Sequence, residues 1–360
     1  TTGQCAKLSV SIPAMFLRHL SHMSAGRLAI CVAVFYACLA AFGIVNAVLW
    51  SQVTFLNELG WTVSNWHAPF DDLPKQLQDA KELQHPAHRL RYFLTVPLFW
   101  LSDRTQISVN SLFSVCIPIM AALTVWSAAR VLSHRRQDST VRWIGLLAIL
   151  PLMGIFLAMD GRLILAFGGS ALMLAVHLGP PMSTFAKTIG TVVALWLCAV
   201  TSGTLYATFA ALLMITFFAI IKAPSRVNKA EACLPVIFAI LLFNYDLLGA
   251  LTKNITYFGG GFAGAIGMLQ HGFGAIFLKL GTSPTILAIL SIGLCVGFCV
   301  LAVLIRRLPS DLRLLAILVC TAIAMGAFGY STLALALIPT CILFGCALQK
   351  FTRDDSGYKA

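Results

Sequence analysis

Charge is scarce in this chain: Asp, Glu, Lys and Arg make up 11% of its 360 residues, while 59% are hydrophobic. Ordinary soluble domains carry roughly a quarter charged residues, so a water-soluble globular protein is excluded. Diagnostic catalytic strings are missing too. There is no Gly-x-Ser-x-Gly, no His-Glu-x-x-His and no nucleotide fingerprint, so energy for any reaction must come from the substrate, a gradient or a partner. The 11 cysteines are absent from the candidate outer loops: Cys5 sits in the N-terminal tail and the other ten in apolar runs. No disulfide framework is expected from that distribution. Cys295 and Cys299 share a helix face at i,i+4 spacing with no His or carboxylate beside them, and read as small buried residues.

What the chain does have is a succession of apolar runs. A helix needs about 20 apolar residues to cross a bilayer, and helices satisfy their own backbone groups there. The runs are Leu28–Trp50, Ile107–Ala129, Trp143–Met159, Leu163–Leu178, Thr188–Val200, Gly203–Ile221, Ala232–Leu251, Thr285–Ile305, Leu314–Phe328 and Ser331–Leu348. They predict an all-α, polytopic transmembrane bundle of about ten spans. It forms a single transmembrane domain over 28–348, between tails at 1–27 and 349–360. Thr201-Ser202-Gly203 is the expected break in the long run from Thr188 to Ile221. Asp160-Gly161-Arg162 is the expected outer turn that splits Trp143–Leu178. The first run is too long for a signal-peptide core and has no small-residue cleavage site after it, so it reads as a retained span.

Seventeen of the 25 Lys and Arg, but only five of the 13 acids, fall in alternate connections and the tails, from Lys7 to Lys359. Positive charge marks the cytoplasmic side, so both termini are expected inside a plasma (inner) membrane. The net charge of +12 thus reports topology and contact with anionic lipid, and no nucleic-acid partner is expected.

The expected outer side holds the loops 51–106 and 252–284 and the Asp160–Arg162 turn. Within the first loop, Leu73–Leu90 has helix-forming composition and Tyr92–Leu101 suits an amphipathic or re-entrant segment at the interface. Asp71 and Asp72 pair two carboxylates, able to bind a divalent metal or act as a base, or else simply to favour a helix N-terminus. Arg89 and Arg91 offer guanidinium forks for phosphate or carboxylate, near His85 and His88, which read as surface residues. Asp160 and Arg162 lie where charge is costly and faces a partner or a wet cavity; they form either a site or a turn-closing ion pair. Asp246, inside a span, is a site candidate by its depth and a partner for Arg162, with or without a chemical role. In the loop from Thr252, glycines alternate with Phe258, Phe262 and Phe273 in a lid-like or interfacial segment, with His271 and Lys279 as groups able to reach a substrate.

Two stretches carry a resemblance. The run from Asp71-Asp72-Leu73-Pro74 to Trp100-Leu101 resembles the first outer loop of GT-C-class membrane glycosyltransferases, and Met159-Asp160-Gly161-Arg162-Leu163 to Ala175 is similar to the charged span entry of bacterial O-antigen and exopolysaccharide repeat-unit polymerases. The resemblance implies glycosyl transfer on the outer face from a sugar linked to polyprenyl phosphate or diphosphate. It implies Asp71 or Asp72 as base or metal ligand, and Arg89, Arg91 and Arg162 as phosphate holders. Membrane lipids, the polyprenyl-linked glycan and other subunits of a glycan assembly complex are the implied partners. Some twenty residues separate the acids from the first span, where the family places its acid close behind it. Two rivals stay open: a transporter or lipid-linked glycan flippase, in which a broken helix at Thr201–Gly203 and embedded charges would build the site, and a non-catalytic membrane subunit.

Overall fold

The computed structural model describes residues 25–42, 89–107, 115–134, 163–272, 310–327 and 329–343, with isolated positions at 112 and 149 and between 281 and 297. The described residues are helical and contain no strand. The helices are α1 (Ala25–Phe42), α2 (Arg89–Thr105), α3 (Cys116–His134), α4 (Leu163–Leu178), α5 (Thr184–Cys198), α6 (Ser202–Lys222), α7 (Arg226–Tyr257), α8 (Gly261–Gly267) and α9 (Ser310–Gly326). Short 3-10 helices cover Met268–His271 and Tyr330–Leu335. Within α3, α6 and α7, three stretches are long and apolar enough to cross a membrane; α1, α4, α5 and α9 contain shorter apolar helices.

The centre of the bundle is α4. It is apolar all round, and such helices belong in a protein interior; every residue from Leu163 to Leu178 except Leu172 and His177 is buried. It packs against α3, α5, α6 and the Tyr330–Leu335 segment. The approach to α5 depends on glycine: a Cβ on Gly169 would lie 2.6 Å from the Ala194 carbonyl oxygen, and one on Gly190 would lie 2.7 Å from Val176. Small residues let helices close on each other where lipid gives no hydrophobic drive.

The break at Thr201–Gly203 is a turn between antiparallel helices: α5 ends at Cys198, Ala199–Thr201 turn the chain, and α6 returns to Lys222, beside Lys187. The expected runs Thr188–Val200 and Gly203–Ile221 are thus two separate helices. Ser225 opens α7 by accepting from the Asn228 amide at 3.2 Å, and Pro235 falls inside the helix. The 32 residues of α7 reach about 48 Å at 1.5 Å per residue, more than the roughly 30 Å of a hydrocarbon core. The expected span Ala232–Leu251 is thus the middle of a longer rod.

Other boundaries also move. α2 stops at Thr105, where Gln106 adopts φ 60° and donates its amide to the Ser102 carbonyl, and α3 continues past the expected Ala129 to His134. Arg130 extends that end by stacking on Trp126, 4.9 Å from the ring centroid. The interfacial segment expected at Tyr92–Leu101 is part of α2. The last apolar run begins as the 3-10 helix Tyr330–Leu335 before turning α-helical. Trp143–Met159 lies outside the described residues except for Ile149, and the described positions of Thr285–Ile305, between 285 and 297, are helical.

The antiparallel order gives the bundle two chemically different ends. Arg130, Lys187, Lys222, Arg226 and Lys229 gather at one, the basic end. At the other, α4 and α6 begin and α5 ends, and α7 carries Asp246 toward it.

Candidate functional site at the Asp246 end

Asp246 extends a buried stripe. Val236, Ala239, Phe243 and Asp246 recur at three- and four-residue steps, one face of a helix, and all are at most 9% exposed. The first three pack against Met173, Ala194, Leu195 and Leu205. Asp246, 1% exposed, takes the next place on that face, while its neighbours Tyr245 and Leu248 point outward at 53% and 66%. A carboxyl group is here substituted for an apolar residue at a packing position. Ionisable groups at such a place are costly and are retained for a partner or a function. Tyr206 of α6 fixes the level by donating its hydroxyl to the Leu247 carbonyl.

A polar seam borders the same end. The Thr204 hydroxyl donates to the Ser331 carbonyl at 3.0 Å and receives from Thr201 at 2.7 Å. Thr332 donates to the Ala322 carbonyl at 3.0 Å, tying the 3-10 segment to α9. A Cβ on Gly203 would press on the Ser331 hydroxyl at 3.0 Å. Deeper in the bundle, Thr208 donates to the Cys198 thiol at 3.3 Å, and the Ser170 hydroxyl lies 3.3 Å from that of Thr208. All three residues are buried. Cys198 therefore fills the role of a small buried residue, with a hydrogen bond added. Ser170 and Thr208 are polar interruptions in apolar runs, a signal present in the sequence.

The glycine-rich segment after α7 starts as an ordered turn. Gly259, Gly260 and Gly261 take φ of 105°, 77° and 55°, conformations open to glycine and strained for other residues. That reversal folds α8 back on α7, with Gly264 against the Ile255 carbonyl. His271 closes the following 3-10 helix, and Gly272 abuts the Gly326 and Ala327 carbonyls at the end of α9.

Of the sequence-predicted residues, Asp246 is placed in full. Arg89 and Arg91 lie in the first turn of α2 and His271 in its 3-10 helix, by backbone. Asp71, Asp72, Asp160, Arg162 and Lys279 lie outside the described residues, although Arg162 directly precedes α4 in the chain. Among the described residues no three of His, Cys, Asp and Glu converge as metal ligands; the expected metal pair, Asp71 and Asp72, is not among them. No family model matches the chain, and neither a curated protein nor a solved structure gives a significant match.

Proposed function

We propose that this chain is a multi-pass plasma (inner) membrane protein that transfers or polymerises glycosyl units from a polyprenyl-(di)phosphate-linked donor on the extracytoplasmic face. The observation that carries the reading is the enclosure of Asp246, 1% exposed, at the end of the bundle where α4 begins one residue after Asp160-Gly161-Arg162. The membrane placement is supported by the long apolar helices and by the outward Leu241, Leu242 and Leu248 of α7, a surface suited to lipid. Positive charge at the opposite end supports a cytosolic basic end and an exterior Asp246 end.

In the proposed reaction, the acceptor hydroxyl attacks the anomeric carbon, its proton passes to Asp71 or Asp72, and the sugar–phosphate oxygen bond breaks as the lipid phosphate leaves. Arg162, aligned by Asp246, neutralises the departing phosphate, as do Arg89 and Arg91. Asp160 closes the turn that carries Arg162, while His271 and Lys279 approach the glycan. A divalent metal on Asp71 and Asp72 is the other use of that pair.

The test is the glycan profile of a strain in which the gene is deleted and replaced by variants. Arg162→Ala and Asp246→Asn are expected to lose long chains, keep single repeat units and insert normally in the membrane. Wild-type chain lengths in both would contradict the proposal. Lipid-linked units trapped on the inner leaflet would indicate transport instead. The turn at Ala199–Thr201 removes one ground for transport, because α5 and α6 are a hairpin and not an unwound span.

A further inference from the structure

A cavity lies at the opposite, basic end, between α4, α5, α6 and α7. Its volume is about 340 Å³, and its lining includes His177, Lys187, Thr216, Lys222 and Glu231. Lys187 comes from the first turn of α5 and Lys222 from the last turn of α6, so two ammonium groups from different helices border one space. Thr216 is 6% exposed, and its hydroxyl oxygen, buried within the lining, has no hydrogen-bond partner. A helical threonine ordinarily bonds the carbonyl four residues back, as Thr191 does with Lys187. A buried hydroxyl left unmade costs roughly 1–3 kcal/mol unless a ligand meets it. His177 is already engaged with the Thr191 hydroxyl at 2.9 Å. With His177 neutral, two lysines and Glu231 leave one net positive charge in the cavity.

Thr184 also lines a neighbouring apolar groove between α5 and α7. The groove measures about 430 Å³ and is lined by Phe185, Ile189, Val193, Leu234 and Phe238. Polar head space beside a hydrocarbon-lined channel is the form of an anionic amphiphile. We infer that this end of the bundle binds an anionic phospholipid, with its phosphodiester among Lys187, Lys222 and Thr216 and an acyl chain along the Phe185–Phe238 groove. A phosphodiester carries the single negative charge that the cavity lacks. Basic pockets between spans on the cytoplasmic side bind lipid headgroups by this means. The inference rests on the membrane placement proposed above and is independent of glycosyl transfer.

The test uses the full chain in mild detergent, titrated with phosphatidylglycerol, phosphatidylcholine, glycerol phosphate or inorganic phosphate and read by native mass spectrometry, with vesicle flotation confirming that each variant inserts. Phosphatidylglycerol is expected to be retained over phosphatidylcholine, and Lys187→Gln and Lys222→Gln each to weaken it about fivefold. Thr216→Val is expected to weaken it about tenfold, by loss of a hydrogen bond to a charged group. Ile189→Trp, which fills the groove, is expected to reduce lipid retention without affecting the small phosphates. Equal retention of the two lipids with unchanged lysine variants would overturn the inference. So would tight glycerol phosphate or inorganic phosphate binding together with an inert Ile189→Trp, which would mark a site for a soluble phosphate.

Discussion

The Tyr206 hydroxyl donates to the Leu247 carbonyl across the α6–α7 contact, one residue beyond Asp246. Tyr206→Phe keeps the ring and deletes this bond, at a cost of about 1 kcal/mol. The expected result is a lower thermal midpoint in detergent and shorter glycan chains in cells, since the bond sets the level at which Asp246 sits. Unchanged chain length with the lower midpoint would confine Tyr206 to a stabilising role.

Gly168 and Gly169 are adjacent, yet they should respond differently to the same substitution. A Cβ on Gly169 meets the Ala194 carbonyl oxygen at 2.6 Å and the Cys198 thiol at 2.7 Å, whereas one on Gly168 meets the flexible Met120 sulfur at 3.1 Å. Gly169→Ala is expected to cost roughly 1–3 kcal/mol, the usual range for overpacking. Gly168→Ala is expected to be close to neutral. Equal melting temperatures for the two variants would mean that α4 and α5 are not packed this closely.

Cys198 is fully buried and accepts a hydrogen bond from Thr208. Thiols react as exposed thiolates, so peptide mapping after maleimide treatment should find Cys198 unmodified in the folded protein and modified once it is denatured. Labelling under native conditions would show that the Ser170–Cys198–Thr208 cluster opens to solvent.

Orientation is tested by two exposed positions at opposite ends, Phe262 at 78% and Val227 at 66%. Phe262→Cys should react with a membrane-impermeant maleimide in intact cells, and Val227→Cys only after permeabilisation. The reverse pattern would put Asp246 toward the cytosol and remove the exterior donor from the account.

The sequence made some of this visible for physical reasons. Leu163–Leu178 was legible to the residue, because Arg162 and the Gly179-Pro180-Pro181 run punctuate an unbroken apolar stretch. The turn before α6 was legible in Thr201-Ser202-Gly203, although helix begins at Ser202. The full length of α7 was not. Arg226, Asn228 and Lys229 read as a loop by polarity but are compatible with the first turns of a helix capped by Ser225. Asp246 was legible as a buried acid, but its place on the Val236–Phe243 face required the fold. The cavity at the basic end was hidden for the same reason: Lys187 and Thr216 are 29 residues apart, and the α4–α7 packing brings them to one space.

The central claim is that the Asp246 end supports glycosyl transfer from a polyprenyl-linked donor. Its most direct measurement is release of polyprenyl phosphate or diphosphate by the purified protein from a lipid-linked sugar and an acceptor glycan, compared among wild type, Asp246→Asn and Arg162→Ala. Release coupled to lengthening of the acceptor is expected of the wild type, and loss of both is expected in the two variants. Release and lengthening that persist unchanged in both variants, or a correctly inserted wild type that yields neither with any polyprenyl donor, would contradict it.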